Sequence, residues 1–202
     1  MPKLKLDPAI LEHLQEHDLL PFSEACTKVS SRLKSGQNHW IQFEEIEKIR
    51  ISIATTVIHL LKRSYEDVAR TLILVKDADV ANEYLELFNK FGSHTDLRVW
   101  TAYEGPKILR QKEDIYFGAD VVIATPKRLH KLLNIEGFNS AGLLHLLLDE
   151  ADQLLKVGVN SFTHRISDSV PEKQRICFST CNAKGVRNYM DKFAFPFYSE
   201  IV

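Results

Sequence analysis

Along the chain, short apolar runs alternate with longer stretches in which apolar residues recur every three or four positions. That alternation predicts strands and helices taking turns, the pattern of a parallel sheet flanked by helices. Strands are expected at 39–43, 71–75, 97–102, 120–124, 144–148, 175–179 and 198–202. Helices are expected at 46–63, 79–91, 106–114, 126–133, 153–157 and 183–193, with two more, 8–16 and 23–34, ahead of the first strand. Asp7 before Pro8 reads as an N-cap followed by proline at the first helical position, and Ser35-Gly36 as a stop. The helix after the first strand is amphipathic, with Ile46, Ile49, Ile53, Val57 and Leu60 as its packing face. The expected fold is α/β: a single doubly wound, mainly parallel sheet with helices on both faces. Residues 1–36 form a helical lead-in and 37–202 the α/β domain. In such a sheet ligands lie outside the carboxyl ends of the strands.

The composition narrows the class. A chain of 202 residues with 45% hydrophobic content suits one such domain with an ordinary core. Its net charge of -1 sets up no global field toward nucleic acid, which leaves only a local basic face to do that work. Three cysteines, Cys26, Cys177 and Cys181, make no paired framework and suggest a reducing, cytoplasmic setting, with Cys177 and Cys181 expected as buried thiols. The opening residues carry charge throughout and lack the apolar core of a secretion signal. No apolar run approaches the roughly 20 residues of a membrane span, so no membrane partner is expected.

The most specific chemistry lies in "LLHLLLDEADQLL", Leu143 to Leu155. An apolar run stops at Asp149 and Glu150, with Asp152 close behind, and carboxylates at a strand end are placed to hold Mg²⁺ beside a nucleotide. Other patterns carry less. "HLQEH", from His13 to His17, has inverted zinc-protease spacing but sits in the lead-in helix, where no peptidase cleft can be built. His145, among leucines, is expected as a satisfied core histidine. Trp40 and Trp100 are expected as packing residues.

"VVIATPKRLHKLL", "LLLDEADQLL" and "ICFSTC" follow one another in an order and spacing that resemble the first RecA-like domain of DEAD-box RNA helicases, a P-loop NTPase-type fold. "TAYEGPKILRQ", "LILVKDADVANEYLELF" and the helical lead-in are similar to further parts of that domain. The resemblance implies that Asp149 is the metal-holding aspartate and Glu150 the acid that orients the attacking water. It implies that Asp152, Ser179 and Thr180 couple nucleotide state to RNA grip. It also implies RNA contact at Thr125, Pro126 and Arg128, with Lys127 in place of the family's glycine. Of the family's glycine pair, Gly105 is retained and Glu104 replaces the other.

The departures from the family bear on turnover. A phosphate cradle needs glycines, a lysine for the phosphates and a hydroxyl for the metal. The segment in its place, "FEEIEKIRIS", Phe43 to Ser52, contains no glycine. Lys48 is the nucleotide-binding candidate there, although Ile49 would then stand at the hydroxyl position. No glutamine falls near Ala25, where the family reads adenine, and a second RecA-like domain with its arginine fingers is not found in these residues. Lys107, Arg110, Lys127, Arg128 and Lys131 could form a basic rim, or a mixed-charge face with Glu104, Glu113 and Asp114. The expectation is an RNA- or ribonucleoprotein-binding or scaffolding module that requires no cofactor, its carboxylates a relic of catalysis. The alternative is an ATP-dependent RNA helicase component, with Mg-ATP as cofactor and a protein partner supplying the second RecA-like domain. A third reading is a protein-interaction module.

Overall fold

The computed structural model describes residues 5–43, 46–158 and 160–202, with the side chains of Ile46 and Glu47 outside that description. Among the described residues, seven strands form one sheet: β1 (His39–Gln42), β2 (Thr71–Leu74), β3 (Val99–Ala102), β4 (Val121–Ala124), β5 (His145–Leu148), β6 (Gln174–Ser179) and β7 (Tyr198–Ile201). Their order is β3-β4-β2-β5-β6-β1-β7, and every neighbouring pair is parallel. Parallel strands require crossovers, and helices supply them. These are α3 (Ile46–Leu61), α4 (Ala78–Phe91), α5 (Ile108–Tyr116), α6 (Pro126–Asn134), α7 (Ala151–Leu154), α8 (Asn160–Ser169) and α9 (Lys184–Phe193). Two helices, α1 (Pro8–Glu16) and α2 (Glu24–Lys34), precede the sheet.

The inner strands bury both faces, with alternate residues pointing to opposite sides. Ile41, Ile73, Ile123, Leu147 and Ile176 pack under α1 to α4, beside Leu14, Val29, Ile53 and Phe88. Trp40, Leu72, Leu74, Val122, Leu146 and Leu148 face the other way, against Leu129, Ile166 and Tyr189. Caps fix where the helices start. Asp7 accepts from the Ala9 amide at 3.1 Å, Ser23 from Cys26 at 3.2 Å and Asp77 from Val80 at 3.0 Å.

All seven expected strands are present, and three helices differ from expectation. The short helix expected at 153–157 is a single turn, Ala151–Leu154, because Glu150 takes a left-handed conformation (φ 48°, ψ 51°) that turns the chain directly out of β5. The helix expected at 106–114 begins at Ile108, after Gly105 in a positive-φ turn. Helix α8 was not expected, since two of its three buried residues, Thr163 and Ser167, are polar and blur the apolar period. Ser167 is satisfied there by the Tyr189 hydroxyl at 2.7 Å. Among the described residues, no helix is long and apolar enough to cross a membrane.

Candidate functional site

The carboxyl ends of β5 and β2 meet the start of α3 and the first half of α4. β1 ends at Gln42 and α3 begins at Ile46, so residues 43–45 alone connect them, and 44 and 45 lie outside the described residues. From Ile46 onward the backbone is plain helix. One turn in, Arg50 lies on the same face as Ile53 and Val57 and is only 5% exposed. Its guanidinium meets three acids from two other elements. Nε donates to Asp149 Oδ2 at 2.7 Å, one terminal nitrogen to Glu83 Oε2 at 2.5 Å, and the other to Glu150 Oε2 at 3.2 Å. Lys76, just past β2, donates to Glu150 Oε1 at 3.0 Å.

Burial sets the electrostatics of this cluster. Asp149 is 1% exposed, and its carboxyl is pushed up to about 6, first by burial and further by the neighbouring charge of Glu150, against the pull of Arg50. Burial also works against the charge on Arg50, but the charge and hydrogen bond of Asp149 outweigh it and hold the guanidinium protonated. The pair is therefore unequal. The arginine stays charged at all relevant pH, while the aspartate sits deeper and keeps one oxygen, Oδ1, without a hydrogen bond among the described residues. Tyr84, fully buried beside it, is raised well above the usual phenol range by burial and then by the charge of Asp149.

The neighbouring strand end is tied in by its own bonds. Asp152 Oδ1 accepts from the Thr180 amide at 3.2 Å, linking α7 to the end of β6. Ser179, fully buried, accepts from Trp40 Nε1 at 2.7 Å and donates to the Cys181 carbonyl at 3.0 Å. The structure thus gathers Asp149, Glu150, Asp152, Ser179 and Thr180 at the ends of adjacent strands. Cys177 is buried as expected and Cys26 is buried too, but Cys181, also expected buried, is exposed because the chain has already left β6.

A second group lies at the ends of β3 and β4. Thr125 caps α6 and its hydroxyl donates to Glu104 Oε2 at 2.7 Å, while Pro126 takes the first helical position. Arg128, expected on the rim, is buried and donates to the Pro106 carbonyl at 3.1 Å, tying the turn at Gly105 (φ 124°) to α6. Lys127 is exposed, as are Lys107, Arg110 and Lys131. Trp100, on the edge strand β3, is 38% exposed and donates to the Gly118 carbonyl at 3.1 Å. His145 bonds Gln174 through Nδ1 at 2.8 Å, and burial holds it below the usual histidine range. Lys48 is exposed on α3, and its carbonyl accepts from the Cys26 thiol at 3.3 Å.

The residue that sequence reasoning missed is Arg50. The signal was a lone cation on the apolar stripe of α3. Aligning Arg50 with the lysine of G-x-x-x-x-G-K-[ST] puts Glu44 and Ile49 at the glycines and Ile51 at the hydroxyl.

The family model described as DEAD/DEAH box helicase matches residues 52–188, more than half of the chain. The chain belongs to the DEAD/DEAH box helicase family. That match begins at Ser52, past the segment carrying Arg50. Among DEAD-box relatives, the chain is similar to the ATP-dependent RNA helicase DBP2 of Scheffersomyces stipitis, at 32% identity over 58% of this chain and 22% of the relative. It is also similar to the DEAD-box ATP-dependent RNA helicase 20 of Arabidopsis thaliana, at 29% identity over 65% of this chain and 26% of the relative. The matched segment thus spans about a quarter of these relatives. The fold matches a crystal structure of a DEAD box protein from the hyperthermophile Methanococcus jannaschii with a TM-score of 0.89. That match has 20% identity and covers 98% of this chain and 54% of the other.

Proposed function

We propose that this DEAD-box family domain binds RNA or a ribonucleoprotein through the rim at the ends of β3 and β4, and does not bind or hydrolyse ATP by itself. One observation carries the reading: the guanidinium of Arg50 holds Asp149 and Glu150, the two carboxylates that the family resemblance assigns to the metal and the water. The residues present do not fit a magnesium–nucleotide group. One oxygen of each carboxylate, Asp149 Oδ2 and Glu150 Oε2, is held by an arginine of the same chain. Helix runs from Ile46, where a cradle would need left-handed glycines, and the β-branched Ile49 resists that conformation. Ile51 at the hydroxyl position offers the metal no ligand.

The RNA half of the reading rests on the relatives, whose names make them RNA helicases, and on the exposed Lys107, Arg110, Lys127 and Lys131 beside the Gly105 turn. Contacts of that kind are electrostatic and salt-sensitive. The test is retention on single-stranded RNA across a salt series, with and without Mg-ATP, together with phosphate release. The reading expects salt-dependent retention that nucleotide leaves unchanged, and no release. Absence of retention at low salt, or RNA-stimulated phosphate release, would overturn it.

A further inference from the structure

The guanidinium of Arg50 gives each of its nitrogens to a different carboxylate: Nε to Asp149 and the two terminal nitrogens to Glu83 and Glu150. Counting every group as ionised, these three acids face two cations, Arg50 and Lys76. Removing Arg50 would leave three carboxylates against one ammonium. Within the same cluster, Asp149 Oδ1 is buried and receives no hydrogen bond from Arg50, while the buried Tyr84 phenol interacts with the same carboxylate. A buried carboxylate beside a second, partly buried one needs a cation, and hard divalent ions take such ligands.

We infer that Arg50 is a resident cation, and that Asp149 and Glu150 form a latent divalent-cation site which this side chain holds closed. A planar, singly charged fork satisfies three separate acids by hydrogen bonds, whereas a divalent ion would draw the oxygens of Asp149 and Glu150 onto one centre. Arg50 already holds Asp149 Oδ2 and Glu150 Oε2, so a divalent ion that drew both carboxylates onto one centre would have to displace it. This inference rests on the reading of the segment as one without a phosphate cradle, and it concerns the metal alone.

The test titrates Mn²⁺ into the intact chain and into Arg50→Met and Arg50→Lys, following free Mn²⁺ by electron paramagnetic resonance. The unsubstituted chain is expected to show no stoichiometric site. Arg50→Met is expected to bind one Mn²⁺ at least about a hundredfold more tightly, the lower end for unpairing a buried charge, and to lose it when Asp149→Asn is added. Arg50→Lys, which keeps the charge, is expected to stay closed. A Mn²⁺ site in the unsubstituted chain that Asp149→Asn abolishes would overturn the inference. So would a folded Arg50→Met with no gain, or an equal gain in Arg50→Lys. Should Arg50→Met not fold, the ¹⁵N signal of Arg50 Nε in the unsubstituted chain decides. It is expected to be untouched by Mn²⁺, and its selective broadening would overturn the inference. Failure here leaves the absence of nucleotide binding standing, whereas Mg-ATP binding to the unsubstituted chain would overturn that reading itself.

Discussion

Arg50 and Asp149 stand 99 residues apart, and the arginine's Nε donates to the aspartate's Oδ2 at 2.7 Å inside the protein. The contact joins the helix after β1 to the end of β5, two places where the family resemblance puts the nucleotide. A buried ion pair adds little net stability over an apolar pair of the same shape, but removing one partner strands the other. Arg50→Ala is therefore expected to lower the unfolding free energy by about 3–5 kcal/mol in urea titrations. The double substitution Arg50→Met/Asp149→Leu is expected to recover much of that loss. A neutral Arg50→Ala would mean the pair is not formed.

The pH profile tests the same pair. Burial, with the charge of Glu150 adding to it, holds the Asp149 carboxyl at about 6, above its ordinary value of 3.8. Between those limits the folded chain keeps a proton that the unfolded chain has released. The contribution of Asp149 is thus fully present below the unfolded value and is lost as pH rises through about 6. The stability difference between the unsubstituted chain and Asp149→Asn should fall across that window and level off above it. A difference that rises with pH there would contradict the assignment.

Ser179 is expected to matter first for packing. Its hydroxyl accepts the indole N–H of the fully buried Trp40. Ser179→Ala leaves that donor unsatisfied and should cost about 1–3 kcal/mol, with a change in tryptophan emission. Unchanged stability and emission would show that the bond is not made.

The rim separates two neighbouring cations. Lys127 is exposed, so Lys127→Ala should leave stability within about 0.5 kcal/mol. It should also reduce the salt slope of RNA binding by about 0.7, one single-strand phosphate contact. Arg128 is buried on the Pro106 carbonyl, so Arg128→Ala should lower the melting temperature. An unchanged slope in Lys127→Ala would remove this residue from the RNA contact.

Much of the architecture was legible because strand residues such as Leu72 to Leu74 and Leu146 to Leu148 are buried on both faces, which leaves uninterrupted apolar runs. Helix α8 was hidden because Thr163 and Ser167, both buried, break the period. The sharp exit from β5 was hidden because Glu150 adopts a conformation that usually announces itself as glycine. The carboxylates of the candidate site were plain in "LLLDEADQLL", but their counter-ion was not. Arg50 is a lone cation on an apolar stripe, and only the folded position of α3 beside the end of β5 shows which acids it meets. Arg128 was misplaced for a related reason: its aliphatic stem and guanidinium fold inward to bind a loop carbonyl, which residue type alone does not reveal.

Calorimetric titration of Mg-ATP into the unsubstituted chain tests the central claim most directly. With Arg50 seated on Asp149 and Glu150, no saturable heat is expected up to millimolar nucleotide. Saturable binding in the micromolar range would contradict the account.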